Sequence, residues 1–184
     1  SSGSVKAMVL NIATKQSYFI STSVYAVSPN GTFSLTLDYA RLHKLRRGYG
    51  YYGAASSTLH EKAPSTDGIW RASIAEGNEP PKLMWSLADQ NEVFPGTSTG
   101  QSDHWFNHIQ ISPSGNYVAF FHRHSPGKNT RLLVSDIDFK NVVLVGNYDL
   151  AVSHYDWRND NEIIIASTKS WVRLTRPTSS IGGW

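Results

Sequence analysis

The sequence has no cysteine. Disulfides and thiolate metal sites are therefore excluded, and the redox state of the compartment is left open. Long apolar runs are also missing: no stretch approaches the roughly 20 residues of a membrane-spanning helix. No basic segment followed by an apolar one opens the chain. Charged residues make up only 17%, with a net charge of +3, and nucleic-acid binding wants a denser basic surface. A phosphate loop and a His-Glu-x-x-His helix are absent, which removes the most recognisable nucleotidase and metalloprotease chemistries. These absences predict a soluble chain whose partners include neither nucleic acid nor membrane.

What is present fits a folded β-rich domain. The 184 residues are 40% hydrophobic and 12% aromatic, with six Trp and nine Tyr, enough for one domain with a core or two small ones. The aromatic content suits a β fold or a carbohydrate-facing surface. Residues 1–4, SSGS, read as a tag remnant or flexible end. The charge is uneven: Arg41, Lys44, Arg46 and Arg47, with His43 among them, crowd one short segment. Such a cluster meets an anionic partner, or is simply a solvated face.

An internal repeat organises the chain. VYAVSPNGTFSLTLDY (24–39), HIQISPSGNYVAFFHR (108–123) and HYDWRNDNEIIIAST (154–168) each join two apolar runs by a turn rich in Gly, Asn or Asp, as hairpins require. Hairpins of a second kind lie at 5–21, 67–87 and 131–147. Alternating the two gives four strands per unit, and the second and third turns, Gly115 and Asp160, are 45 residues apart. Roughly 40 to 50 residues per four-stranded unit is the spacing of a β-propeller blade. Turns one and two are farther apart because of insertions at 40–66, with a short helix then a Gly-Tyr loop, and at 88–105, read as a polar connection.

The predicted fold is thus all-β: a partial β-propeller of about three four-stranded blades spanning 5–175, with two long inserted loops and a C-terminal coil at 176–184. Since propellers close with at least about four blades, an arc of three exposes strand edges. Self-association, or a partner that completes the propeller, is expected.

ISPSGNYVAFFHRH…TRLLVSDIDFKN is similar to the Tol-type bacterial propeller repeat, in which Ser-Pro-Asp-Gly opens a hairpin. More narrowly, His108 ahead of Ser-Pro, Phe-Phe-His at 120–122 and Val-Ser-His-Tyr-Asp-Trp at 152–157 resemble successive blades of the oligogalacturonate lyases. The resemblance implies an acidic oligosaccharide as ligand, a cytoplasmic or periplasmic bacterial setting, His108 as catalytic base, and His154 as ligand of a divalent manganese. The family's other metal ligands, a Gln and a His-x-His, come from a later blade. His122-Arg123-His124 is a His-x-His in a different hairpin, and one imidazole cannot hold a hard ion that wants about six ligands. The site in this chain is expected to be incomplete. A non-catalytic module binding protein or glycan is the alternative.

Spacing adds its own reading. His122 and His124 share one strand face with Val118 and Phe120, and Arg123 points the other way with Phe121. The pair is a metal half-site, or the end of a strand leaving the core. His108 and His154 fall at equivalent positions of successive repeats, which puts two imidazoles in register. A lyase on acidic sugars needs a base, cations for the developing charge, and aromatic platforms. His108 or His154 supplies the first; Arg123, Arg41, Arg46 and Arg47 the second; Tyr49, Tyr51, Tyr52 and Trp105 the third.

Overall fold

The computed structural model describes residues 5–77, 79–95, 102–126, 129–146 and 151–167, and the backbone of 171–175. The expected flexible start at 1–4, the coil at 176–184 and part of the 88–105 connection lie outside the described residues. The chain is all-β, and its described residues hold four antiparallel sheets and two short helices. It divides into two compact units, Ser1–Trp105 and Phe106–Trp184.

In the first unit, β1 (Ala7–Leu10) and β2 (Ser17–Ile20) form a two-stranded hairpin. A four-stranded meander follows in the order β3 (Ala26–Val27), β4 (Phe33–Thr36), β5 (Gly68–Ser73), β6 (Lys82–Ser86). Helix α1 (Tyr39–Leu45) lies in the first insertion, as expected. Its start is set by Asp38, whose carboxylate accepts from the Ala40 and Arg41 amides at 2.8 and 2.9 Å, satisfying two of the helix's orphan donors.

The second insertion, read from the sequence as a polar connection, opens with helix α2 (Leu87–Val93). The physical reason is a capping box: Ser86 and Asp89 exchange hydrogen bonds with each other's amides at 2.9 and 3.0 Å, pinning a first turn that composition alone does not favour.

The second meander runs β7 (His104–Ile111), β8 (Tyr117–His124), β9 (Asn129–Asp136), β10 (Val143–Gly146). Strands β8 and β9 are buried almost end to end on both faces, which is why they read as continuous apolar runs rather than alternations. The fourth sheet has three strands, β11 (Val152–Asn159), β12 (Glu162–Ser167) and β13 (Trp171–Thr175). Ala119 and Phe121 of β8, Leu132 and Val134 of β9, Val152 and Tyr155 of β11, and Ile163 and Ile165 of β12 form one buried cluster.

The two Ser-Pro-x-Gly turns match bond for bond. The Gly31 amide donates to the Ser28 carbonyl at 2.8 Å and the Gly115 amide to the Ser112 carbonyl at 2.9 Å. Two residues on, Phe33 and Tyr117 donate to the hydroxyls of the same serines at 3.1 and 3.2 Å. Both glycines take positive φ, 68° and 83°, where a side chain is strained. The third turn, Arg158 to Asn161, is built differently. Asn161 donates to the Asn159 side chain at 2.9 Å, and the Asp160 carboxylate accepts from the Ser114 amide of the preceding turn at 3.1 Å.

Candidate functional site

Strand β8 sorts the histidines. Alternation puts Phe121 and Arg123 on the face of the buried cluster, and Phe120, His122 and His124 on the other. Ring contacts agree: Phe106 meets Phe120 at 5.4 Å and His122 at 5.9 Å.

His108 breaks the alternation of its own strand. Its φ is 53°, a left-handed conformation costing a non-glycine residue roughly 1–2 kcal/mol. The consequence is a bulge-like reversal, which sends Asn107 and His108 to the same side. Asn107 accepts from Arg123 Nε at 3.1 Å, and the His108 ring lies 5.0 Å from Phe121. Tyr155 holds the strained residue by donating its hydroxyl to the His108 carbonyl. It also packs edge-on against Phe121 at 5.0 Å. Further bonds tie β7 to β11: Gln110 Nε2 to the Tyr155 carbonyl and Trp157 Nε1 to the Gln110 carbonyl, each 3.3 Å.

The His154 ring meets His108 edge-on at 5.9 Å. Its Nδ1 is 2.8 Å from the Ser153 hydroxyl, a contact that orients the ring. His154 is exposed, His108 half-buried and Arg123 buried. The two imidazoles that the repeat places in register therefore do meet. Asn107, next to His108 in the chain, accepts from the buried Arg123, which sets a positive charge on the same face of β8 as the Phe121 ring that His108 meets.

Several other assignments are corrected. His122 and His124 are 0% and 1% exposed, so the end of β8 stays in the core rather than leaving it. They sit 6.0 Å apart on the face opposite Phe121, with Arg131 paired across from His122. Burial pushes the His124 imidazole below its usual range, and the Arg131 charge adds to that. The three residues assigned as metal ligands are thus split, His154 on one side of β8 and the other two on the opposite side. Among the described residues, no group of three or more His, Asp or Glu gathers where it could hold a metal. The arrangement does not fit the manganese site that the resemblance implies.

Trp105 is 6% exposed and belongs to the core, so it is no sugar platform. Arg123 is also 6% exposed, with its Nε bound to Asn107; it can act on its neighbours but not on an open surface. Arg41 is a buried structural cation. Its Nε donates to Asp67 at 2.7 Å, and its other nitrogens donate to the carbonyls of His104, Thr58 and Glu61.

The rest of the basic segment forms a separate surface on the first unit. Arg46 lies over the Tyr49 ring at 4.1 Å, and Arg47 is exposed. Tyr49, Tyr51 and Tyr52 are 48%, 50% and 92% exposed. Tyr51 leans on Tyr39 at 4.7 Å, and Tyr39 stacks on Tyr25 at 5.9 Å. Burial, then the neighbouring Tyr51 and Tyr25, hold the Tyr39 phenol well above its usual range, and its hydroxyl donates to the Val24 carbonyl at 2.9 Å. Gly50 lets the loop lie against α1: a Cβ there would sit 2.2 Å from the Tyr39 carbonyl and 2.3 Å from the His43 amide.

The sequence reading missed Asn107, Tyr155, Ser153 and the Tyr25–Tyr39 ladder. Tyr155 and Ser153 flank His154, so adjacency was an available signal. Asn107 gave none, since its role depends on the reversal at His108. No family model, curated protein or solved structure matches this chain.

Proposed function

We propose that the chain is part of a β-propeller resembling the oligogalacturonate lyases, and that its second unit takes an acidic oligosaccharide at the His108–His154 pair. The observation carrying this reading is the meeting of the two repeat-related imidazoles at 5.9 Å, one of them on a strained backbone. Strain of that kind clusters at functional sites, where surrounding contacts hold it in place. Here Tyr155 supplies the contact.

The chemistry such a pair supports is elimination. A neutral imidazole, His108, takes the proton beside the uronate carboxylate, while the bond from the neighbouring carbon to the glycosidic oxygen breaks. A double bond forms between the two carbons, and the departing oxygen takes a proton from the second imidazole, His154. Arg123 and the Asn107 amide lower the cost of charge developing nearby, a preorganised term that typically outweighs the others. The meander order of both four-stranded sheets is the order of a propeller blade and supports the architectural half of the proposal.

A second reading, a non-catalytic propeller module, is favoured by the commitment of Arg41 and Arg123 to buried partners. One assay separates the two. Trigalacturonate is incubated with the protein, and the ultraviolet absorbance of an unsaturated uronate is followed alongside calorimetric binding. The lyase reading expects product, abolished in His108→Asn, which tolerates the left-handed backbone better than alanine. Binding without product, unchanged in His108→Asn, establishes the module. Neither binding nor product overturns both.

A further inference from the structure

We propose that the tyrosine and arginine surface following α1 binds single-stranded nucleic acid, through stacking on Tyr49, Tyr51 and Tyr52 and charge from Lys44, Arg46 and Arg47. This inference is independent of the His108–His154 reading and concerns the other unit.

Charge is the first argument. Between Asp38 and Glu61 there is no acidic residue, and Asp38 is occupied in capping α1. Arg41 is neutralised by Asp67, which leaves Lys44, Arg46 and Arg47. None of the three has an ion pair among the described residues; Lys44 donates to the Leu59 carbonyl and Arg46 lies on a ring. Averaged over the chain the net charge is only +3, but three uncompensated cations lie within four positions.

The rings are the second argument. Three tyrosines within four positions are each about half exposed or more, and Tyr52 is 92% exposed. A protein does not present three phenol faces beside cations for the sake of its core. They are also preorganised: Tyr51 rests on the Tyr39–Tyr25 ladder, Tyr52 meets the His43 ring edge-on at 5.7 Å, and the Gly50 contact fixes the loop to the helix. Aromatic platforms interleaved with cations suit single strands, because every base has a π-face and every nucleotide a phosphate.

The third argument concerns what the surface lacks. From Tyr39 to His60 the sequence has no Asn, Gln, Asp or Glu. Sugar hydroxyls are recognised through amide and carboxylate hydrogen bonds, whereas stacking with phosphate neutralisation needs neither. The segment therefore favours a nucleic-acid strand over a neutral glycan, with little sequence preference.

The experiment is fluorescence anisotropy of a labelled fifteen-residue oligothymidylate with the full chain across a sodium chloride series. Saturable binding is expected, with a log–log salt slope near −2, since each of three cations contributes about −0.7 on single strands. Arg47→Gln should flatten the slope by about 0.7. Tyr52→Leu, at a side chain too exposed to affect folding, should weaken binding at least about fivefold, and His108→Asn should leave it unchanged. Inorganic polyphosphate, an anion without rings, should compete no better than salt of equal ionic strength. The proposal is overturned by absence of binding at low salt, by equal affinity of Tyr52→Leu and wild type, or by displacement with trigalacturonate at concentrations as low as the oligonucleotide's own. The last outcome would transfer this surface to the sugar reading.

Discussion

Replacing Arg41 with methionine is the sharpest perturbation of the first unit. The side chains of Arg41 and Asp67 are 3% and 5% exposed, and their ion pair is 2.7 Å long. Without the guanidinium, Asp67 keeps only the Thr58 hydroxyl, at 3.1 Å. Breaking a buried pair from one side typically costs about 3–5 kcal/mol, a large share of a domain's total stability. The pH dependence follows from Asp67. Its pKa is already raised, first by burial and then by Asp38, against the lowering effect of Arg41 and Thr58; loss of Arg41 raises it further. A group with a raised folded pKa is more stable protonated, so the penalty of Arg41→Met is full at neutral pH and shrinks as pH falls through the folded pKa of Asp67.

Adding Asp67→Leu to Arg41→Met removes the stranded charge. The double variant should then recover most of the loss, leaving about 1 kcal/mol for each carbonyl that stays unsatisfied. Urea denaturation at neutral and mildly acidic pH reads all of this from the transition midpoints. A penalty under 1 kcal/mol, a penalty constant with pH, or a double variant as unstable as the single one would refute charge compensation as the role of Arg41.

Other consequences are open to measurement. Gly50→Ala should reduce thermal stability and the fluorescence signature of the Tyr39–Tyr51 contact, because the new Cβ meets backbone atoms at 2.2 and 2.3 Å; an unchanged melting temperature would contradict the close approach. His124 is held neutral by burial and by Arg131, so acidification below its ordinary value of about 6.5 protonates the unfolded chain first. Stability should therefore fall from pH 7 to 5 by up to about 1.4 kcal/mol per pH unit. His124→Leu should be flatter over that window, and parallel profiles would sink the assignment. An arc of only about three blades, as proposed above, predicts association, seen by light scattering as a mass rising above 20.4 kDa with concentration; a constant monomer mass would argue against it.

The repeat was legible in the sequence because its turns are local chemistry. Ser28, Gly31, Ser112 and Gly115 specify their bonds within five residues, and the apolar runs of β8 and β9 announce strands buried on both faces. What was not legible depends on partners far along the chain. Arg41 reads as one more surface cation until Asp67, 26 residues away, arrives to bury it. Trp105 reads as a platform, yet it lies in the core. The two-residue alternation of β8 correctly parted His122 from Arg123. The same rule applied to β7 would have sent His108 to the wrong face, since nothing local foretells its left-handed turn. That turn is held by Tyr155, 47 residues on. The long-range contacts are what make a site of residues that were visible singly.

The most direct measurement of the central claim is a histidine-selective NMR titration with trigalacturonate. Resonances of His108 and His154 should shift together along one binding curve, and those of the buried His122 and His124 should stay in place. A shift confined to other histidines, or no shift at saturating ligand, would contradict the proposal that the paired imidazoles form the sugar site.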